Sequence, residues 1–371
     1  MTHIAIVCEF ATCNGGEQSL LAVLRQLRNR FEFTVLAPEA GPFPDALRRE
    51  GIRLIPWSVR GSDGTRLQRD ELVDRLAATV RAIAPDLVHA NSLAMGRLLG
   101  AAADRLSIPC MAHIRDIIGL SKAAIADLNR NQAIVCVSEA TRQFHIARGL
   151  DSSRAATIHN GIDTDRFHPR QPTGAFRNDL GVPAGSLIAA TIGQIGLRKG
   201  QQVLAQAAAA VEGSIPGIHY LLVGERHSQK QESIDYERNL SLMFEQAGLR
   251  EQLHGPGWRD DIPELLGEID LLIHPAFQEP LGRVLLEAAA SGKAIVATDV
   301  GGTAEILTDG ESALLVPPGD PDRLAAAIME VSGDATLRRD LGRAARQVIL
   351  DRFRIEPRAE QLGQFWADNI G

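Results

Sequence analysis

The sequence predicts an α/β protein of two doubly wound, parallel-sheet units, and three observations carry that prediction. Short apolar runs alternate with amphipathic stretches along the whole chain. The runs lack the apolar–polar alternation of strands with one wet face, so helices should cover both faces of each sheet. The rhythm breaks once, at His168-Pro169-Arg170-Gln171-Pro172-Thr173-Gly174, and then restarts. A chain of 371 residues is also longer than one hydrophobic core usually serves, which again favours two domains.

In chain order the expected strands of the first half are IAIVCEF, FTVLAP, IRLIPW, DLVHA, PCMAHI, AIVCVS and AATIHN. Amphipathic stretches at 17–30, 70–84, 92–106 and 139–148 stand between most of them. After the Pro- and Gly-bearing joint near residue 170 come LIAATIGQI, IHYLLVGE, DLLIHPA, KAIVATD and SALLVPP, again with helices between. A final helical stretch, about 335–371, carries Phe353, Phe365 and Trp366, aromatics expected to pack it across the domains rather than to do chemistry. The sequence has no repeat of solenoid period.

Composition excludes several classes of function. Hydrophobic residues make up 45% and charged residues 23% of the chain, a globular balance. No apolar run reaches the roughly 18 residues of a membrane-spanning helix. The opening MTHIAIVCEF reads as a buried strand, so no secretory signal is expected. Cys8, Cys13, Cys110 and Cys136 have no metal-binding spacing and are expected as reduced thiols of a cytoplasmic enzyme. Residues 1–170 hold 21 Lys+Arg against 18 Asp+Glu, and the remainder 18 against 28, giving +3 and −10. That balance argues against nucleic acid as a partner. The mildly basic first half leaves open a peripheral contact with the inner face of the cytoplasmic membrane.

Three stretches carry chemistry. The first is HPAFQEPLGRVLLEAAASGKAIVATDVGGTAEIL, residues 274–307, in which a strand end passes through a loop into a helix expected to begin near Pro280. Ligands of open α/β sheets collect at such carboxyl ends. The N–H groups of Gly282, Arg283 and Val284 would face a phosphate from the helix N-terminus. Glu279 would lie before the helix and Glu287 about two turns along it, where carboxylates can accept from sugar and ribose hydroxyls. Taken alone, a solvated helix face would explain that pair as well. The second stretch, ATIGQIGLRKGQQVLAQA at 190–207, places Arg198 and Lys199 in a Gly-flanked loop, where two cations could clamp a diphosphate. The third, Asn14-Gly15-Gly16-Glu17, opens a helix after the first strand and allows close backbone approach to a ligand.

Together these stretches resemble the large family 4 of retaining glycosyltransferases with GT-B architecture. Glu279 and Glu287 match that family's E-x(7)-E motif, and Gly301-Gly302-Thr303-Ala304-Glu305 its G-G-x-x-E element. Asn160-Gly161-Ile162-Asp163 resembles its N-G-[IV]-D, and Ser138-Glu139 its V-S-E strand end. Gly15-Gly16-Glu17 is similar to the N-terminal G-G-x-E, and His113-Ile114-Arg115-Asp116 to the histidine-bearing loop. The resemblance implies an acceptor-side domain at 1–170, a nucleotide-sugar-binding domain at 171–345, and a helix at 346–371 crossing back to the first. His113, Lys199 and Glu279 would be the catalytic groups. Gln194, Arg198, Leu281, Gly282, Arg283, Val284 and Glu287 would contact the donor, with Glu287 on the ribose and Trp258 and Arg259 beside the base. Trp258 as a buried wedge is an equal reading. Gly16 would face the diphosphate, with Gly15, Gly16 and Arg115 on the acceptor side.

One position departs from the family pattern. Its G-R-x-x-x-x-K-G stands here as Gly193-Gln194-Ile195-Gly196-Leu197-Arg198-Lys199-Gly200, with a neutral amide at the first cation's place. Arg198, whose planar fork suits phosphate, is expected to compensate in part. The reaction implied is sugar transfer from a UDP- or GDP-sugar with retention, in glycan or cell-envelope polysaccharide assembly. The acceptor would be a lipid-linked glycan, a sugar or a polyol. No cofactor and no obligatory metal are expected, because no D-x-D stands in a ligand-bearing loop, and Asp260-Asp261 reads as a helix cap. An epimerase or phosphorylase on the same architecture is the rival enzyme reading, and a non-catalytic nucleotide-sugar binder is the rival of another class.

Overall fold

A computed structural model describes residues 1–370. Chain contacts divide the described residues into two compact units, 1–161 with 355–370, and 162–354. The first unit is a seven-stranded parallel sheet made of β1 (Thr2–Val7), β2 (Phe31–Ala37), β3 (Arg53–Pro56), β4 (Leu87–Ala90), β5 (Cys110–Ile114), β6 (Ala133–Cys136) and β7 (Ala155–Thr157). Their order is β3-β2-β1-β4-β5-β6-β7. The second unit is a six-stranded parallel sheet made of β8 (Ile188–Ile192), β9 (His219–Val223), β10 (Leu253–Gly257), β11 (Leu271–His274), β12 (Ala294–Thr298) and β13 (Leu314–Val316). Its order is β10-β9-β8-β11-β12-β13, so each sheet reverses direction once, between β1 and β4 and between β8 and β11. Two Rossmann-like α/β units are what the apolar runs predicted.

The strands are buried on both faces, which is why their sequences show no alternation. In the first unit Ile4, Ile6, Leu87 and Met111 meet helices 15–27 and 355–368 on one face, while Ala5, Val7 and Val88 meet helices 69–83 and 93–102 on the other. Helix 15–27 turns Leu20, Leu24 and Leu27 inward at helical spacing. In the second unit β8, β9, β11 and β12 pack against helices 201–212, 231–246 and 321–333 through Tyr220, Leu204, Phe244 and Ile328.

Three boundaries differ from the sequence reading. The first unit ends at Gly161, not at residue 170. The Pro-rich stretch near 170 belongs to the second unit, where the buried Glu268 carboxylate accepts from Thr173 N at 2.6 Å and from Thr173 Oγ1 at 2.7 Å. The final helical stretch is two helices, Ala335–Arg352 and Ile355–Asp368, broken at Phe353 and Arg354. The returning segment therefore begins at Ile355 rather than 346, and it is counted with the first unit. Phe353 is buried in the second unit beside the crossing, where its carbonyl accepts from Ile162 N at 2.8 Å. Strand β10, LHGPG, was not expected at all. It is an edge strand with an irregular register between His254 and Gly257, a place where proline and glycine are tolerated.

Candidate active site

In the second unit the loops after β8 and β11 leave adjacent strands at the point where strand order reverses, so they face each other across the ligand position of an open α/β sheet. Backbone contacts hold them together. Gly200, at φ +66°, passes so close to Pro275 that a Cβ there would stand 2.0 Å from the Pro275 carbonyl oxygen. Phe277 N donates to Arg198 O at 2.9 Å, and Arg198 Nη1 donates to Gln278 O at 3.2 Å. From the end of β12, Thr298 Oγ1 donates to Ala276 O at 2.5 Å. The backbone thus brings the side chains of Lys199 and Glu279 to one spot.

There Lys199 Nζ meets Glu279 Oε2 at 2.6 Å, and His274 Nε2 donates to the same oxygen at 2.9 Å. Glu279 and His274 are both buried. Burial by itself would raise the Glu279 carboxyl, but Lys199 and His274 outweigh it and hold the group well below the usual carboxylate range. Burial and the Lys199 charge lower His274, so its ring is neutral. Since a carboxylate only accepts, the His274 proton sits on Nε2. His274 was missed in the sequence reading. The signal available was a histidine closing a strand immediately before the loop that bears Glu279.

The following helix begins at Arg283, with Gly282 at φ +98° before it. Pro280 therefore lies in the loop and not in the first turn, and Glu287 is one turn along rather than two. A Cβ on Gly282 would meet Leu285 Cδ1 at 2.7 Å, so this entry needs glycine. Arg283 Nε pairs with Glu287 Oε1 at 2.8 Å. Burial raises the Glu287 carboxyl, against the pull of Arg283 and Arg166. Leu281 and Gly282 are buried, and Arg283 and Val284 are the first residues of the helix. Gly302 N donates to Glu279 O at 3.0 Å, which gives the G-G-x-x-E stretch its place beside the glutamate.

Other expected donor residues are placed less uniformly. Gln194 and Arg198 are exposed in the β8 loop. Trp258 is 48% exposed, which removes the reading of a buried wedge. Arg259 has its fork on Asp261, with Nε to Oδ1 at 2.7 Å, and lies over the Phe176 ring at 5.0 Å. Asp261 makes no side-chain cap for helix 262–268 and serves this ion pair instead, a correction to the capping expectation.

In the first unit His113 is the last residue but one of β5, buried, two positions before Arg115. Arg115 donates through Nε and Nη2 to Asn91 Oδ1 at 3.2 and 2.9 Å, and through Nη1 to Asn160 Oδ1 at 2.9 Å. Its Nη2 also lies 3.2 Å from His113 Nδ1. A guanidinium cannot accept, so His113 Nδ1 accepts and the ring proton sits on Nε2, which is buried and has no protein partner. Burial, then Arg115 and His89, lower His113 far enough that the ring is neutral. Arg115 was expected to face the acceptor, yet these contacts turn its fork onto protein groups. Asn91 and Asn160, which hold it, were not singled out for that role. A Cβ at Gly16 would touch Arg115 Cδ at 3.4 Å, which sets Gly16 beside this group, and Gly15 is exposed at the start of helix 15–27. Ser138 and Glu139 are structural here. Ser138 Oγ accepts from Thr141 N, and Glu139 Oε2 accepts from Thr157 Oγ1 at 2.6 Å.

Two parallel α/β sheets, each reversing strand order once, with Lys199 meeting the buried Glu279 and His274 beside a helix N-terminus at the second reversal, have the architecture of a GT-B glycosyltransferase. Residues 13–166 match the model "Glycosyltransferase Family 4" and residues 173–348 the model "Glycosyl transferases group 1". The chain belongs to the glycosyltransferases that join these two domains. Among its relatives, the UDP-Gal:alpha-D-GlcNAc-diphosphoundecaprenol alpha-1,3-galactosyltransferase of Escherichia coli is 21% identical over 360 residues, 92% of this chain and 90% of the relative. A D-inositol 3-phosphate glycosyltransferase of Streptomyces bingchenggensis is 24% identical over 280 residues, 70% of this chain. The match spans only 62% of that relative's own length. The crystal structure of Anabaena HepE in complex with UDP is 25% identical, with a TM-score of 0.85 over 99% of this chain and 100% of that one. No helix among the described residues is long and apolar enough to cross a membrane.

Proposed function

We propose that the chain is a retaining glycosyltransferase that moves a sugar from a nucleotide-diphosphate donor, a UDP- or GDP-sugar, to an acceptor hydroxyl in glycan or cell-envelope polysaccharide biosynthesis. The observation that carries this reading is the cluster of Lys199, Glu279 and His274 beside the N-terminus of helix 283–290. The UDP complex of HepE and the diphosphoundecaprenol acceptor in the name of the E. coli relative support the donor and acceptor classes.

In this reading the donor diphosphate lies against the Arg283 and Val284 N–H groups and takes the Lys199 ammonium, so that positive charge meets the charge that develops on the leaving group. Both of Glu279's partners fall on Oε2, which leaves Oε1 to accept from a sugar hydroxyl. Glu287 accepts from the ribose. In the first unit the His113 Nε2–H is a neutral donor for a sugar oxygen. Because Glu279 is held by a lysine and a histidine, its carboxylate is a binding group and not an unencumbered nucleophile. The acceptor hydroxyl attacks from the face that the diphosphate leaves, and a phosphate oxygen takes its proton, so configuration is retained. Lys199, Arg198 and the helix N-terminus supply positive charge, so the reading includes no obligatory metal.

The test is a panel of UDP-glucose, UDP-galactose, GDP-mannose and ADP-glucose, scored for nucleoside diphosphate release and, with acceptor, for the anomeric configuration of the product. One donor should turn over with retention and in the presence of EDTA. Release of no nucleoside diphosphate from any of them, with epimerised sugar nucleotide instead, would favour the epimerase reading.

A further inference from the structure

Helix 355–368 places Trp366, wholly buried, in the first unit. Its ring stands edge-on to Phe31 at 5.5 Å and to His89 at 5.6 Å between centroids. The indole Nε1–H donates to His89 Nδ1 at 3.0 Å. An indole nitrogen only donates, so His89 Nδ1 is unprotonated and the neutral ring carries its proton on Nε2. That nitrogen is buried without a partner. His89 in turn meets the His113 ring edge to face, with centroids 5.3 Å apart and planes at 75°. Nothing in the proposed chemistry uses Trp366 or His89, and the sequence reading assigned Trp366 to packing.

Their place in the sheet shows what they can do. Side chains alternate along a strand, so Leu87 and His89 on β4 share a face with Met111 and His113 on β5. On that face Leu87 and Met111 are aliphatic, whereas His89, opposite Met111 in the register, and His113, two residues further on, carry imidazoles. A leucine at 89 would fill space without burying an unpaired N–H, which carries a desolvation cost. His113 has one polar tie, at Nδ1 to Arg115, and a ring held at one atom can still swing about that bond. The edge-to-face contact with His89 is a second contact, one that can fix the plane.

We propose that Trp366 and His89 are positioning residues for His113. The indole N–H sets the His89 ring, and the His89 ring holds the plane of His113 and with it the direction of the buried Nε2–H. This inference rests on the reading of His113 as a donor to the sugar, given above.

The experiment labels histidine rings with nitrogen-15 in the full-length wild type, Trp366→Phe, His89→Leu and His89→Gln. Each protein is also assayed for nucleoside diphosphate release with the donor selected from the four-member panel, and for UDP binding by calorimetry. In the wild type both rings should show a single tautomer with the proton on Nε2. In Trp366→Phe the fixed His89 tautomer should be lost and turnover should fall about tenfold, the order expected when a reacting group is slightly misplaced. UDP affinity and binding stoichiometry should not change. His89→Leu should lose activity similarly, and His89→Gln, whose amide oxygen can take the indole N–H, should recover most of it. A wild-type His89 protonated on Nδ1, wild-type turnover in both Trp366→Phe and His89→Leu, or a loss matched by lost UDP-binding stoichiometry would each overturn the proposal. An inactive His113→Ala beside a fully active Trp366→Phe would sink this inference alone. A fully active His113→Ala would sink the reading beneath it.

Discussion

Replacing Gly200 by alanine probes the packing that unites the site, and its effect can be worked from geometry. The new Cβ would lie 2.0 Å from Pro275 O and 3.0 Å from its carbonyl carbon, while real Cβ atoms stay outside 3.0 Å. The two loops must therefore part by about 1 Å, or the turn must leave φ +66°. A left-handed alanine costs about 1–2 kcal/mol, and relieving an overpacked contact typically costs about 1–3 kcal/mol more. The expected destabilisation is thus roughly 2–5 kcal/mol. Separation also pulls Lys199 from Glu279, and a misplacement of about 1 Å can lower turnover about a hundredfold in protein that remains folded. Denaturant unfolding and nucleoside diphosphate release, normalised to folded protein, measure the two effects. Gly196→Ala is the control, because a Cβ there meets nothing within 4 Å. Wild-type stability and turnover in Gly200→Ala would refute the argument that this contact assembles the site.

The remaining expectations concern charge. Lys199→Met leaves a buried carboxylate without its cation and should cost about 3–5 kcal/mol of stability, with a fall in turnover of about 10²–10³, read by unfolding and steady-state kinetics. Arg198→Ala should weaken binding of the panel donor, and Gln194→Arg added to it should restore affinity; calorimetry showing Arg198→Ala at wild-type affinity would rule out compensation. The Glu287 carboxyl is raised above 4.5 by burial, so falling pH protonates it in the weakly acid range and removes the ribose acceptor. UDP affinity should decline there, and Glu287→Gln should flatten the profile. Glu279 is lowered instead, so the stability it contributes is full above 4.5 and is lost as pH falls below that value toward its folded pKa, which acid unfolding of wild type against Glu279→Gln would show.

The sheets were legible because buried parallel strands are written as uninterrupted Val, Ile, Leu and Ala runs. Strand β10 was not, since an edge position let proline and glycine into LHGPG. The Pro-rich stretch looked like a joint, but composition could not show that Glu268, some ninety positions later, anchors Thr173 and Gly174. Lys199 and Glu279 could be named from their loops, whereas the partnership of His274 with Glu279 depends on which strands become neighbours. Asn91 and Asn160 were equally hidden, because their shared target Arg115 lies on a third segment. Arg259 carried a suggestive position, and only the folded chain shows Asp261 and Phe176 around it.

The short Lys199–Glu279 contact has a consequence for selectivity. With its ammonium neutralised by a neighbour, this pair of loops in the second unit offers little pull to inorganic phosphate or to any stray anion. A visitor bearing only negative charge would have to strip the lysine away and strand a buried carboxylate. A visitor bearing phosphate oxygens and hydroxyls together can satisfy both groups at once, so the pair discriminates in favour of an intact sugar nucleotide over its fragments.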